Sequence, residues 1–192
     1  MFSLPQLPIC ELLPELFKAL NTTPSGGIVI TAPPGSGKTT VVPLALLSEQ
    51  YLSNKQILLL EPRRMAARLA ARRMASTIGE EVGGTVGYQL RMERRSSKQT
   101  RVMVLTEGVL SRMLIDDPEL ENVGAIIFDE FHERSLACDL SFALALEVRR
   151  ALRPDLRLMV MSATLDADEV SDHLRDAEVV HAEGRMFPVE TR

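Results

Sequence analysis

The feature that most constrains this chain is an alternation. Short runs, apolar throughout rather than at every second position, are separated by longer stretches suited to helices. The runs are 27–31, 57–61, 101–106, 125–129, 158–162 and 178–181. A run without alternation predicts a strand buried on both faces. Helices are predicted over 38–48, 65–78, 108–115, 136–152 and 167–174, with Pro118 and Pro154 stopping two of them. Strands joined by helices imply a mostly parallel sheet with helices on both faces, an α/β sandwich of three layers. With 192 residues, 45% of them apolar, the chain can build one such domain. Aromatics make up only 4%, so its core must be mainly aliphatic.

Leu12, Leu13, Leu16, Phe17 and Leu20 recur at helical spacing before the first run. They predict an amphipathic helix that covers the sheet. Residues 81–99 hold Gly83, Gly84, Gly87 and a string of charges, and are predicted to be a loop. No apolar run is long enough to cross a bilayer. The start, Met1-Phe2-Ser3-Leu4-Pro5, lacks the basic-then-apolar pattern of a leader. Cys10 and Cys138 stand far apart without metal-ligand spacing, as expected of two thiols in a reducing compartment. A cytoplasmic protein with no membrane partner is predicted.

The polar residues that follow the runs point to chemistry. Lys38 comes after the first, Arg63 after the second and Glu107 after the third; Asp129, Glu130 and Ser162 close the next two. Carboxyl ends of parallel strands gather on one edge, where ligands bind. One edge should therefore collect all of these groups.

Ala32-Pro33-Pro34-Gly35-Ser36-Gly37-Lys38-Thr39 follows a run and opens a helix. Gly35 and Gly37 let the backbone curl around an anion with N–H groups pointing inward, and the helix N-terminus adds its positive end. Lys38 can reach the outer phosphates, and the Thr39 hydroxyl can ligate Mg²⁺. The predicted cofactors are ATP or ADP with Mg²⁺, held by Pro34, Gly35, Ser36, Gly37, Lys38, Thr39 and Thr40. Ala32 departs from the strict pattern, which has Gly there.

Residues 125–130 form an apolar run ending in two acids. Asp129 would hold hydrated Mg²⁺ opposite Thr39. Glu130, also a candidate at the metal, would orient and deprotonate the attacking water. His132-Glu133 begins a zinc-helix signature, but Leu136 stands where its second histidine belongs, which excludes a zinc protease.

Together these motifs resemble the DEAH-box helicases of superfamily 2. Asp129-Glu130-Phe131-His132 resembles the family box, with Phe131 in place of the usual alanine, and Ser162-Ala163-Thr164 is identical to the third motif. Pro62-Arg63-Arg64 with Ala66-Ala67 resembles motif Ia, and Thr106-Glu107-Gly108 resembles motif Ib. Gly184-Arg185-Met186-Phe187-Pro188-Val189 is similar to the segment leaving the first lobe. The Asp-Glu-Phe-His form followed by Glu-Arg-Ser resembles the HrpB-type members. The resemblance covers nearly the whole chain and implies a RecA-like first lobe. It implies that Ser162 and Thr164 couple nucleotide state to lobe movement, with His132 in the same network. It places Arg63, Arg64, Thr106, Glu107 and Gly108 along nucleic acid, and Arg73 against the adenine ring. The family's second lobe, with its arginine fingers, has no counterpart up to Arg192. The resemblance therefore predicts a first lobe only: helical segment 1–23, ATP-binding lobe 24–183, and the start of a connection at 184–192.

The net charge of −4 argues against a generally basic binder. Arg63, Arg64, Arg68, Arg72 and Arg73 nevertheless crowd one helix and its entry, with Arg64, Arg68 and Arg72 spaced four apart. Arg91, Arg94, Arg95, Lys98 and Arg101 form a second cluster, read as a solvated face. With few aromatics, nucleic-acid binding should be backbone-led and tolerant of sequence. The function these residues predict is ATP hydrolysis that drives movement along a single strand, RNA in particular. The competing reading is a nucleotide-dependent switch that regulates a protein partner without translocation. A small-molecule kinase fits poorly, because an acidic pair with Ser-Ala-Thr suits hydrolysis by water.

Overall fold

The apolar runs become strands and the stretches between them become helices, almost where the pattern puts them. The structure is a computed structural model that describes residues 4–23, 27–163, 167–174 and 177–182. Its strands are β1 (Ile28–Thr31), β2 (Gln56–Leu60), β3 (Val86–Leu90), β4 (Glu93–Arg95), β5 (Val102–Leu105), β6 (Val123–Phe128), β7 (Arg157–Ser162) and β8 (Glu178–His181). Its helices are α1 (Leu13–Thr22), α2 (Lys38–Leu46), α3 (Arg64–Thr77), α4 (Glu107–Asp116), α5 (Leu136–Ala151) and α6 (Ala167–Leu174). Among the described residues the strands form one eight-stranded sheet in the order β4-β3-β5-β2-β6-β7-β1-β8. All pairings are parallel except that of β4 with β3.

Successive residues of each strand serve opposite faces. Ile28, Ile30, Ile57, Leu59, Ile127, Met159 and Met161 pack under α1, α2 and α3. Val29, Leu58, Leu60, Ile126, Phe128, Leu158 and Val160 pack under α4, α5 and α6. Both faces are dry, so both registers of each strand had to be apolar. The Leu12, Leu16 and Leu20 stripe is buried against the first face, as its spacing predicts.

The expectation for residues 81–99 is corrected. They hold β3 and β4, an antiparallel hairpin at the sheet edge turning at Arg91 and Met92. The signal was masked by glycine and charge. Gly87 lies inside β3 because the Arg95 carbonyl crosses 2.6 Å from where its Cβ would be. The charges of β4 are tolerated because it is the exposed edge strand.

Candidate functional site

The site forms where strand ends line up. Thr31 pairs with Ser162 across β1 and β7, and Phe128 is in register with Leu60 of β2 and Val160 of β7. The next residues along each chain therefore emerge on one edge. Parallel register alone brings the loop after β1 to the acids after β6.

Gly35 and Gly37 adopt φ of +76° and +96°, values that L side chains rarely reach. The loop they shape leads into α2, whose first residue is Lys38. No backbone carbonyl among the described residues takes the N–H groups of Gly35, Gly37, Lys38 or Thr39. Four donors at one helix start suit an anion with several oxygens.

Lys38 is buried and its Nζ lies 2.9 Å from Glu130 Oε1. Thr39 Oγ1 donates to Asp129 Oδ2. Asp129 is 3% exposed, and burial pushes its carboxyl up to about 6; the Thr39 hydroxyl and Lys38 pull the other way. Glu130 sits in the left-handed region at φ +48°, and its N–H donates to Asp129 Oδ1 at 2.8 Å. Such a backbone costs on the order of 1 kcal/mol for a non-glycine residue. It turns the two carboxyls apart, one toward Thr39 and one toward Lys38.

His132 continues the chain of contacts. Its Nε2 lies 3.5 Å from Glu130 Oε2, and its Nδ1 is 3.2 Å from the Ser162 hydroxyl. Lys38, Glu130, His132 and Ser162 thus form one connected row across β1, β6 and β7. Thr164 and residues 184–189 lie outside the described residues. Phe131 is buried against Phe128 and Phe142, with ring centroids 6.2 and 5.0 Å away in edge-on geometry. These rings anchor the acidic turn from below.

Sequence reasoning gave Glu61 no role of its own. It closes β2 beside Asp129 and is 5% exposed. Burial, then Asp129, Glu130 and Glu133, push its carboxyl up to about 8. Asp129 and Glu130 bring two carboxylates beside Lys38 and Thr39 at this edge, oxygen donors that suit a cation. Among the described residues, no three His, Cys, Asp or Glu side chains form a ready metal cage. Mg²⁺ does not need one, since it keeps waters and takes oxygens from phosphate. Thr39 and Asp129 provide two oxygen positions of the right kind, with Glu130 beside them.

The residues expected along nucleic acid are dispersed over the same edge. The exposed Arg63 side chain pairs with Glu133 at 2.7 Å. Arg64 Nη2 reaches the Arg91 carbonyl at 3.4 Å, and Arg68 is bound to Glu93 of the hairpin. Arg72 and Arg73 are exposed on α3. Thr106 and Gly108 line a groove of about 820 Å³ between the hairpin and α4, together with Arg91, Met92 and Arg112. Glu107 turns away from it: its carboxylate accepts a 3.0 Å hydrogen bond from Ser135 at the start of α5. The second basic cluster does not act as one. Arg101 is half-buried and caps the Lys55 and Leu52 carbonyls, whereas Arg95 reaches Glu81 at 3.7 Å on the surface.

A mostly parallel sheet covered by three helices on each face, with its polar groups gathered at the carboxyl edge, defines a RecA-like α/β lobe. The chain belongs to the DEAD/DEAH box helicase family, which matches residues 16–173. It is 50% identical over 186 residues to the Escherichia coli ATP-dependent RNA helicase HrpB, covering 97% of this chain and 23% of that protein. It is 40% identical to the Arabidopsis thaliana DExH-box ATP-dependent RNA helicase DExH1, covering 84% of this chain and 17% of the relative. A crystal structure of Escherichia coli DEAH/RHA helicase HrpB superposes with a TM-score of 0.89 at 51% identity, over 96% of this chain and 23% of that one. The chain thus spans about a quarter or less of the relatives' length. No helix among the described residues is long and apolar enough to cross a membrane.

Proposed function

We propose that this chain is the ATP-binding first lobe of an ATP-dependent RNA helicase motor of the HrpB type. The observation that carries the reading is the double pairing of consecutive residues: Lys38 with Glu130 and Thr39 with Asp129. A lysine and a threonine at a helix start, each already facing one carboxylate of an acidic pair, are poised for a nucleotide with its cation.

In this reading the loop N–H groups and Lys38 bind the phosphates. Thr39 and Asp129 would hold Mg²⁺, with Glu130 also a candidate at the metal. The Mg²⁺ would neutralise charge that develops on the phosphate oxygens. Lys38 must leave Glu130 to reach phosphate, and that exchange frees the carboxylate to take a proton from water. His132 lies between Glu130 and Ser162, where it can pass a change at the acid to the end of β7. Thr164 is proposed in the same coupling, and Arg73 in stacking on the base. Arg63, Arg64, Thr106, Glu107 and Gly108 are proposed along the RNA backbone. The lobe is read as cytoplasmic.

Hydrolysis is proposed for a protein that also carries a second lobe with arginine fingers. Such residues contribute about 10³–10⁵ in rate in phosphate-loop systems, so the 192-residue chain should bind ADP but turn over ATP very slowly. Calorimetry with MgADP tests the first part. ATP turnover of a two-lobe protein with and without single-stranded RNA tests the second. Stimulation by RNA supports the motor, and turnover indifferent to RNA favours a nucleotide switch acting on a protein partner.

A further inference from the structure

The segment before α1 does more than lead into the fold. Residues 4–12 run beneath the phosphate loop, and two of their contacts fall on its centre. The Ile9 N–H donates to the Ser36 carbonyl at 3.1 Å. The Leu7 side chain occupies the space beside Gly37: a Cβ there would lie 2.6 Å from Leu7 Cδ1 and 3.4 Å from Ile9 Cγ2.

The sequence explains why Ile9 is free to donate. Pro8–Leu12 is a 3-10 turn, and first-turn N–H groups have no partner inside their own turn. Pro8 has no N–H, so Ile9 supplies the first one available. The turn is stiffened by Cys10, whose N–H donates to the Leu7 carbonyl at 2.9 Å and whose thiol donates to the Pro5 carbonyl at 3.1 Å. Ile9 itself is fully buried.

The consequence follows from peptide geometry. The Ser36 carbonyl and the Gly37 N–H belong to one planar trans unit, so they point in opposite directions. Holding the carbonyl toward Ile9 aims the Gly37 N–H away from Ile9, across the loop. That N–H is one of the four donors without a backbone acceptor among the described residues. Ser36 is tethered on its other side too, its N–H donating to the Pro33 carbonyl at 3.2 Å, while its buried hydroxyl has no partner among the described residues. Leu7 and Ile9, packed on Gly37, hold the residue at φ +96°.

We propose that residues 4–12 are a positioning element of the nucleotide site, with Leu7 and Ile9 fixing the Ser36–Gly37 peptide so that its N–H faces phosphate. This inference rests on the phosphate-loop reading. It makes nucleotide affinity depend on residues that precede the loop by almost thirty positions and belong to no helicase motif identified in the sequence.

The test compares ADP affinity and melting temperature across five forms of the 192-residue protein, Leu7→Met among them. Leu7→Ala removes the packing on Gly37; Leu7 is only partly buried, so the fold should survive. A backbone ester at position 9, introduced by semisynthesis, removes the donor and leaves every side chain in place. Leu20→Val disturbs the buried face of α1 away from the loop. Wild type is the reference. Loss of one hydrogen bond or its packing support should weaken MgADP binding by about three- to ten-fold in the first two forms. Leu20→Val should lower the melting temperature at unchanged affinity, and Leu7→Met should restore binding. Affinity that merely tracks melting temperature across the set overturns the proposal. Unchanged affinity in both Leu7→Ala and the ester overturns it as well. Absence of MgADP binding by wild type would instead overturn the phosphate-loop reading, and this inference with it.

Discussion

Lys38 and Arg63 both follow a strand on the same edge of the sheet, yet they live in different media. The Lys38 side chain is 4% exposed and bound to a carboxylate; the Arg63 side chain is 72% exposed and meets Glu133 at the surface. Around Lys38 the groups are bound to one another, and burial holds Asp129 and Glu61 above their ordinary range. Around Arg63, Arg64, Arg72 and Arg73 the cations stand in water, where a pair contributes at most about 1 kcal/mol. In the proposed function this difference separates chemistry from tracking. A buried group changes its strength as an acid or a ligand when a neighbour moves, whereas an exposed cation can meet any phosphate at little cost.

The largest effect is expected at Glu130. Glu130→Gln keeps the shape and loses the base, so ATP turnover of a two-lobe protein should fall about 10²–10⁴-fold while MgADP affinity holds. Turnover near wild type in a stopped assay would remove Glu130 from the chemistry. Lys38→Ala comes next. It removes the cation expected on the phosphates and leaves Glu130 without its partner, so MgADP should bind roughly 10–100-fold more weakly, as for loss of a charge-assisted contact. Calorimetry giving an unaltered affinity would show that the pairing with Glu130 is merely structural.

On the exposed side the effects should be smaller and depend on salt. Replacing Arg63 and Arg64 together by alanine should flatten the slope of log K against log salt for single-stranded RNA by about 1.4, at some 0.7 per lost phosphate contact. All sequences should be affected alike, and nucleotide affinity should not change. If RNA binding and its slope persist while the protein melts earlier, Arg63 serves only its ion pair with Glu133.

The smallest effect probes the dry side by stability. The Glu61 carboxyl is raised from 4.5 to about 8 in the folded chain. Below pH 4.5 both folded and unfolded forms carry the proton, so this group makes no pH-dependent difference. As pH rises toward 8 the unfolded form has lost the proton that the folded form retains, and stability falls. Glu61→Gln should therefore melt like wild type near pH 4.5 and several degrees higher at pH 8. A gap that stays constant across this range would mean that Glu61 is ionised and fully compensated in the fold.

Much of this was legible in the sequence because its signals are local. An apolar run without alternation specifies a strand wet on neither face, and the helices between such runs force parallel pairing. The order of Gly35, Gly37, Lys38 and Thr39 after a strand specifies a loop able to cradle an anion, whatever the rest of the chain does. The hairpin of β3 and β4 escaped because an edge strand carries charge and because Gly87 answers to a neighbour's backbone, which no local pattern reports. Arginines were equally opaque. Arg101, placed in a surface cluster by its neighbours in sequence, is half-buried and caps two carbonyls. Arg153, which drew no notice, is buried and donates to the carbonyls of Glu119, Leu120 and Val123.

Spacing within one strand, turn or helix was enough to specify the fold class, the family and the residue types at the carboxyl edge of the sheet. Folding alone sets which acid faces Lys38, that Arg63 answers to Glu133, that Glu61 is buried beside Asp129, and that the Ile9 N–H meets the Ser36 carbonyl from outside the loop before α2. Each of these depends on register between strands or on packing between segments distant along the chain. Charge and hydrogen bonding act through distance in space, and no spacing along a sequence encodes that distance until the sheet has formed.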